Sequence, residues 1–499
     1  MLHSKIRLIM KNITNKIQLI CLATVLFFGI TGCNDWLTLA PPSDLIKEKF
    51  WTKSEDVTAA LATTYDSYRD NAVNSLIWGE VRADIVDFDS EVTTVADYLS
   101  IASSDISASN GKINWSGYYK TINLANTLMH YSNDVFEKDE SFSLEMKNRI
   151  DGEALFLRAL SYFYLVRIWK EVPLVIEPSI SDTGNLFVPK SPEHVIIDQI
   201  ITDLNEAKNK IGNELYLNRP EYFKGRANKY SVMALLADVY LWDEQYQKCI
   251  DLCDSIINSG LYSLEPSTSW FNLYNPGNSM AESIFEIQYD DKFDSQENPI
   301  YNEQGGIMPI SGSSSVLIDE QTLAKYFVPE DIRQCDVNTP TWKYYGVTLS
   351  GTLQREENER DANFIYYRYA DILLMKAEAL NELDRTMEAN DYLYPTFDRA
   401  KVAYVEITDK YEMRNAILNE RAREFVLEGK RWFDLLRNSK RNGFSNKQLI
   451  INMILSGADI KQQAILKTKV YDTMSYYLPI PEREILYNPN LTQNPFYER

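Results

Sequence analysis

Over most of its length the chain repeats apolar residues at intervals of three and four, and this spacing constrains the fold more than any other feature. Val57, Ala60, Leu61, Thr64, Tyr65 and Tyr68 fall at i, i+3, i+4, i+7, i+8 and i+11, which is one face of an amphipathic helix. Ahead of them, Thr52-Lys53-Ser54-Glu55 reads as a capping box. Helical spacing returns near 115–133, 145–170, 192–211, 227–258, 364–383, 386–402 and 410–437. Two blocks interrupt it. Residues 74–112 carry a run rich in Ser and Asp, and 265–360 contain Pro266, Pro276, Pro299, Pro309, Pro329 and Pro340 with Gly305-Gly306. Proline withholds a backbone donor and glycine loosens the chain. These blocks are therefore read as loops with short helices and, at Ser283 to Tyr289, a strand. The Pro-rich tail, 476–499, is expected to be extended.

Some helical stretches carry repeat character. Ala237, Tyr240, Tyr246, Cys249, Cys253 and Ile256 fall where tetratricopeptide helix pairs place small and aromatic knobs. Ala377, Leu380 and Ala389 lie on the same grid, and Ala159 and Tyr162 fit the first helix of such a pair. Pro395 is expected to break the second helix of the second pair. The fold class that follows is mainly α, a tetratricopeptide-like helix-pair scaffold with an irregular, loop-rich region.

The N-terminus sets the compartment. Lys5, Arg7, Lys11 and Lys16 precede an apolar stretch from Leu19 to Ile30, too short for a membrane span of about 20 residues. Ile30-Thr31-Gly32-Cys33 then has the form of a bacterial lipobox: small residues let the chain enter a peptidase in extended form, and the Cys33 thiol takes the lipid. Residues 1–32 are read as a signal peptide, 33–49 as a tether stiffened by Pro41-Pro42, and 33–499 as a single domain. Its helical scaffold lies mainly in 50–73, 115–260 and 364–440. Acyl chains on Cys33 would anchor it at roughly 0.8 kcal/mol per buried CH₂.

A formal net charge of −20 argues against nucleic acid, whose phosphates need basic patches, and leaves a neutral partner such as a sugar. Local chemistry is thin. His130 and His194 stand alone once the leader is removed, and no HExxH, CxxC, Walker loop or GxSxG is present; no cofactor or metal is expected. Cys249 and Cys253 read as small packing residues. Glu420, Glu424 and Glu428 are four apart, and a glycosidase would use two such carboxylates. Carboxylates on one helix face do not flank a sugar bond, however, and the interleaved Arg421, Arg423 and Arg431 keep them ionised. A structural salt-bridge network is the favoured reading.

A sugar site needs rings for the apolar pyranose face and polar groups at the rim. The irregular blocks supply Trp78, Arg82, Asp84 and Tyr98 in one and Trp342, Tyr344 and Tyr345 in the other; these seven are the candidate ligand residues.

Several stretches resemble one family in order along the chain. Cys33-Asn34-Asp35-Trp36-Leu37 is similar to its mature start, and Glu153-Ala154-Leu155-Phe156-Leu157-Arg158-Ala159 to Pro173-Leu174-Val175 to one of its helices. Gly225-Arg226-Ala227 through Tyr246, Glu282-Ser283-Ile284-Phe285-Glu286, Arg368-Tyr369-Ala370-Asp371 with Ala377-Glu378-Ala379, Glu420-Arg421 to Arg437, and Leu478-Pro479-Ile480-Pro481 to Asn494-Pro495 continue the match. The chain resembles the SusD/RagB family of nutrient-binding outer-membrane lipoproteins of Bacteroidetes. The resemblance implies a helical scaffold with a ligand platform and no catalysis. It also implies a SusC-like TonB-dependent transporter as partner, an oligosaccharide as ligand and a surface-exposed, lipid-anchored place in the outer membrane. Peptides or another nutrient on the same scaffold, and less favourably a surface glycoside hydrolase, are the alternatives. Only Cys33 carries over as a functional residue.

Overall fold

The segment from Ile150 to Trp169 has its few polar residues scattered around the helix rather than gathered in a stripe, and a mostly apolar helix without a polar face must lie inside. In the computed structural model it is the core of the central helix. The structure describes residues 50–88, 96–180, 186–213, 215, 217, 219–274, 281–290, 316–317, 320–333, 342–345, 361–457 and 460–498; the leader, Cys33 and the tether lie outside them. Residues 1–52 and 53–499 form two compact units, and the helices, sheets and cavities below all belong to the second.

Helix α1 (Ser54–Arg69) buries Val57, Leu61, Thr64 and Tyr68, the face read from the spacing. Its cap sits one residue later than Thr52. The Asp56 carboxylate accepts the Lys53 N–H at 2.8 Å, and the Ser54 N–H donates to Asp139 at 2.8 Å. Helices α2 (Ser116–Lys138), α3 (Leu144–Trp169) and α4 (Glu193–Lys210) follow, and α1, α2 and α4 all pack on α3. The charges on α3 are answered inside the core. Glu153 accepts two bonds from Arg226 at 2.8 and 2.9 Å and one from Tyr65 at 2.7 Å. Arg158 forks onto Asp203 at 2.7 and 2.8 Å.

Two helix hairpins extend the scaffold: α5 (Lys229–Trp242) with α6 (Tyr246–Ile257), and α7 (Tyr369–Glu382) with α8 (Thr386–Ala400). Their turns are built alike. Glu244 and Asp384 take positive φ of 58° and 61°, and the next residue bonds back, Gln245 N–H to Tyr240 O at 2.8 Å and Arg385 N–H to Leu380 O at 2.9 Å, the chain reversal of a helix C-terminus. Ala237, Cys249, Cys253, Ala377 and Ala389 are fully buried, so small side chains let each pair approach. Pro395 does not break α8, which runs through it to Ala400. Burial of Leu393, Thr396 and Arg399 on either side offsets the lost donor.

The 364–383 stretch is not all helix. Phe364–Arg368 forms a strand paired antiparallel with Ser283–Ile287, with Ile287 opposite Phe364 and Ser283 opposite Arg368. Aromatic and branched residues suit the pleat, and both strands are buried at all five positions. The 410–437 stretch is two helices, α9 (Lys410–Glu424) and α10 (Arg431–Phe444), separated by a turn in which Leu427 and Gly429 have positive φ. Two further helices, α11 (Gln448–Ser456) and α12 (Ile460–Val470), precede the tail, whose extended run contains the short helix Glu482–Tyr487. Among the described residues no helix is long and apolar enough to cross a membrane.

Candidate functional site

The irregular block after α1 enters through a short helix, Ala72–Leu76, that passes into a π-helical turn, Ile77–Val81. Gly79 in that turn lies against Gly429: a Cβ there would stand 1.7 Å from the Gly429 carbonyl oxygen. Two backbones thus touch where the block meets the α9–α10 turn. Glu80 beside it accepts the Leu427 N–H at 2.9 Å. Burial, only partly offset by that bond and by Lys343 and Arg431, pushes its carboxyl up to about 7.

Under this contact lies a dry charge network. Arg368, with 0 % exposure, donates to Glu282 at 2.6 Å, to Glu428 at 2.9 and 3.1 Å and to Glu424. Arg399 also bonds Glu424, and Arg333 reaches Glu424 at 2.6 Å and Glu420 at 2.8 Å. Burial raises the carboxyls of Glu424 and Glu428, but the cations around them win: Glu424 is held well below its ordinary value and Glu428 at about 2. The carboxylates are buried and ion-paired, as the structural reading of the cluster expected. They do not all share a helix, since α9 ends at Glu424 and Glu428 reaches Arg368 from the following turn. Arg333, Arg399 and Lys343 were not singled out from sequence, and Arg368 entered only as part of a family motif; the i, i+4 carboxylates were the signal of the network.

Four of the seven candidate ligand residues are not presented to solvent, and the expectation for them is corrected. Trp78 is 2 % exposed, stacked on Tyr118 at 5.4 Å with its Nε1 donating to the Lys112 carbonyl at 2.8 Å. Arg82 is buried over Trp432 and donates to the carbonyls of Tyr476, at 2.6 Å, and Ser475. Tyr98 is buried with the Lys112 ammonium 4.9 Å from its ring centroid. Tyr344 is buried and donates to the Leu427 carbonyl at 2.7 Å. Three of the four share a cause: irregular backbone leaves carbonyls unpaired, and a buried one needs a donor. Trp78, Arg82 and Tyr344 supply those donors, so they staple loops. Trp342 and Tyr345 belong to the helix Trp342–Tyr345, but their side chains lie outside the described residues. Asp84 lines a cavity. Burial raises its carboxyl, but Arg431 at 2.8 Å, Tyr326 at 2.5 Å and Lys325 at 3.2 Å hold it well below the usual range.

That cavity, about 620 Å³, is walled by 83–86, by the helix Ala96–Ala102, by Thr322 and Lys325, and by α11 and α12, and is larger than the one beside α1. The other, about 350 Å³, lies between α1 and residues 221–226 and 287–288, where Asp66, Arg69, Glu221, Arg226 and Gln288 surround Tyr65 and Tyr222. Both fall in the range of small-molecule sites, about 300–1,000 Å³.

With this geometry in hand, comparison with known proteins is informative. Residues 233–497 match the family described as "SusD family", and residues 35–241 match "Starch-binding associating with outer membrane". SusD-like protein P38 of Formosa agariphila is 26% identical over 469 residues, covering 82% of this chain and 89% of that protein. A SusD-like protein of Bacteroides ovatus is 23% identical, covering 96% of this chain and 98% of its own. Crystal structures of SusD superfamily proteins from Bacteroides thetaiotaomicron (TM-score 0.71, 21% identity, 90% of this chain and 99% of that one) and Bacteroides fragilis (TM-score 0.72, 21% identity, 90% and 100%) share the fold. Proteins of this family bind without catalysis, which agrees with carboxylates locked among arginines. The chain belongs to the SusD family.

Proposed function

We propose that this protein is a lipid-anchored, surface-exposed outer-membrane protein that captures an oligosaccharide and passes it to a SusC-like TonB-dependent transporter. The observation that carries the reading is the match of residues 35–241 to a family described as starch-binding and associating with the outer membrane, which starts two residues beyond the lipobox Cys33. The acyl chains on Cys33 hold the protein at the membrane and leave the helical scaffold free to dock. Trp342 and Tyr345 remain the ring candidates for the sugar face.

Calorimetric titration of the protein with a panel of host and plant oligosaccharides tests the ligand. Saturable binding to one glycan class without product, weakened about tenfold or more by Trp342→Ala or Tyr345→Ala, supports the reading; silence across the panel counts against it. Radiolabelled fatty acid incorporated into the wild type but not into Cys33→Ala tests the anchor.

A further inference from the structure

The larger cavity has an unusual wall for a sugar site. Its interior is formed by Ile85, Val86, Leu99, Met453, Ile454 and Leu466, and none of its described lining residues is aromatic. A pyranose offers hydroxyls at its edge and a weakly apolar face best met by a flat ring. These buried and half-buried aliphatic side chains and the thioether offer neither ring nor hydrogen bond, and the lining hydroxyls of Ser103, Thr322 and Ser456 lie with the charged groups on the more exposed side. The aliphatic side chains suit a flexible hydrocarbon, and Met453 adapts to its shape.

The mouth is different. Lys325 and Lys469 stand there, with 58% and 37% of their side chains exposed. Lys325 contacts Asp84 at 3.2 Å, but Asp84 is already neutralised by the Arg431 guanidinium at 2.8 and 3.1 Å. Lys469 contacts Asp105 at 3.0 Å, and Asp105 is 76% exposed, so that pair sits in water and binds weakly. Arg431, Lys325 and Lys469 against Asp84 and Asp105 leave one positive charge in excess, on a chain whose net charge is −20. Ile465, 61% exposed, lies on the same lip and places an apolar side chain where a bound chain would cover it.

We propose that this cavity binds an aliphatic chain ending in a carboxylate, with the hydrocarbon against the α11–α12 wall and the head group between Lys325 and Lys469. This is a ligand class outside the oligosaccharide reading and does not depend on it.

Titration calorimetry with decanoate, decanol and maltoheptaose, on the Cys33→Ala chain purified without detergent, tests it. Decanoate should bind saturably and more tightly than decanol. Lys325→Glu with Lys469→Glu should weaken decanoate about tenfold or more and leave decanol unchanged. Ile465→Asp should weaken both. These three positions are solvent-facing, and an unchanged unfolding midpoint in each variant shows that the fold is kept. Absence of saturable decanoate binding overturns the proposal, as does decanoate affinity indifferent to all of these substitutions. Competition between maltoheptaose and decanoate overturns it too, because the cavity would then be the glycan site. Failure of the oligosaccharide reading is seen separately, as the absence of any glycan binding while decanoate still binds.

Discussion

Arg368 is enclosed by Glu282, Glu424 and Glu428 with no exposed surface, and such a residue is worth more by its removal than by its presence. Taking away one partner of a buried ion network leaves the others charged and desolvated, which costs about 3–5 kcal/mol. Arg368→Met should lower the unfolding free energy by about that amount, read from denaturant titration. Glu80 behaves in the opposite sense. Its carboxyl is raised to about 7 by burial, against about 4.3 in the unfolded chain. The native state therefore holds the proton more tightly, and the contribution is fully present below about pH 4 and lost as pH rises through 7. Glu80→Gln keeps an acceptor for the Leu427 N–H and removes the buried charge. It should stabilise the protein at pH 8 by roughly 3–4 kcal/mol relative to its effect at pH 4, read from denaturation at the two pH values. Only part of this was visible in the sequence: Glu420, Glu424 and Glu428 announced a network, and the interleaved Arg423 does pair with Glu420 at 2.7 Å, but the other cations come from Arg333, Lys343, Arg368 and Arg399, distant along the chain.

At the scale of elements, the helical spacing was legible because 3.6-residue periodicity is a local property. The α1 face and the small residues of α5 to α8 fall where the pattern put them. The pattern erred where tertiary contact decided. Phe364–Arg368 pairs with Ser283–Ile287 as a strand, and α8 continues through Pro395. Proline inside a helix costs about 3 kcal/mol through its missing donor and its ring. Since α8 retains it, Pro395→Ala should raise the thermal midpoint, with a gain of about 1–3 kcal/mol after allowing for the freer unfolded chain. The Gly79–Gly429 crossing predicts the reverse. A Cβ at Gly79 would stand 1.7 Å from a backbone oxygen that no rotamer can move aside. Gly79→Ala should separate the π-helical turn from the α9–α10 turn and cost more than the roughly 1 kcal/mol of an ordinary substitution, measured by thermal unfolding.

Across the whole molecule, α7, α9 and the turn after it are tied by carboxylates whose native values lie far below their unfolded ones. Glu378 and Glu428 are held at about 2 and Glu424 well below normal, in each case by arginines that overcome burial. Depressed carboxylates contribute stability above their unfolded value of about 4.3, and that stability is lost as pH falls toward about 2. Circular dichroism should therefore follow acid unfolding between about pH 4 and pH 2. Because the pairs are buried, 1 M salt should shift that transition little, whereas a network at the surface would be screened.

The sequence by itself determined the helical class, the repeat pairs and the family, because each is written in local spacing or in motifs that stand in order along the chain. It could not say which rings face a ligand. Trp78, Arg82, Tyr98 and Tyr344 have the composition of a binding face, yet the fold places them in the core. A ring that bonds a buried carbonyl and a ring that waits for a sugar are the same residue type until the third dimension supplies the neighbour. The aliphatic cavity is likewise assembled from residues 83–105, 322–325 and 453–469, segments that only chain folding brings together.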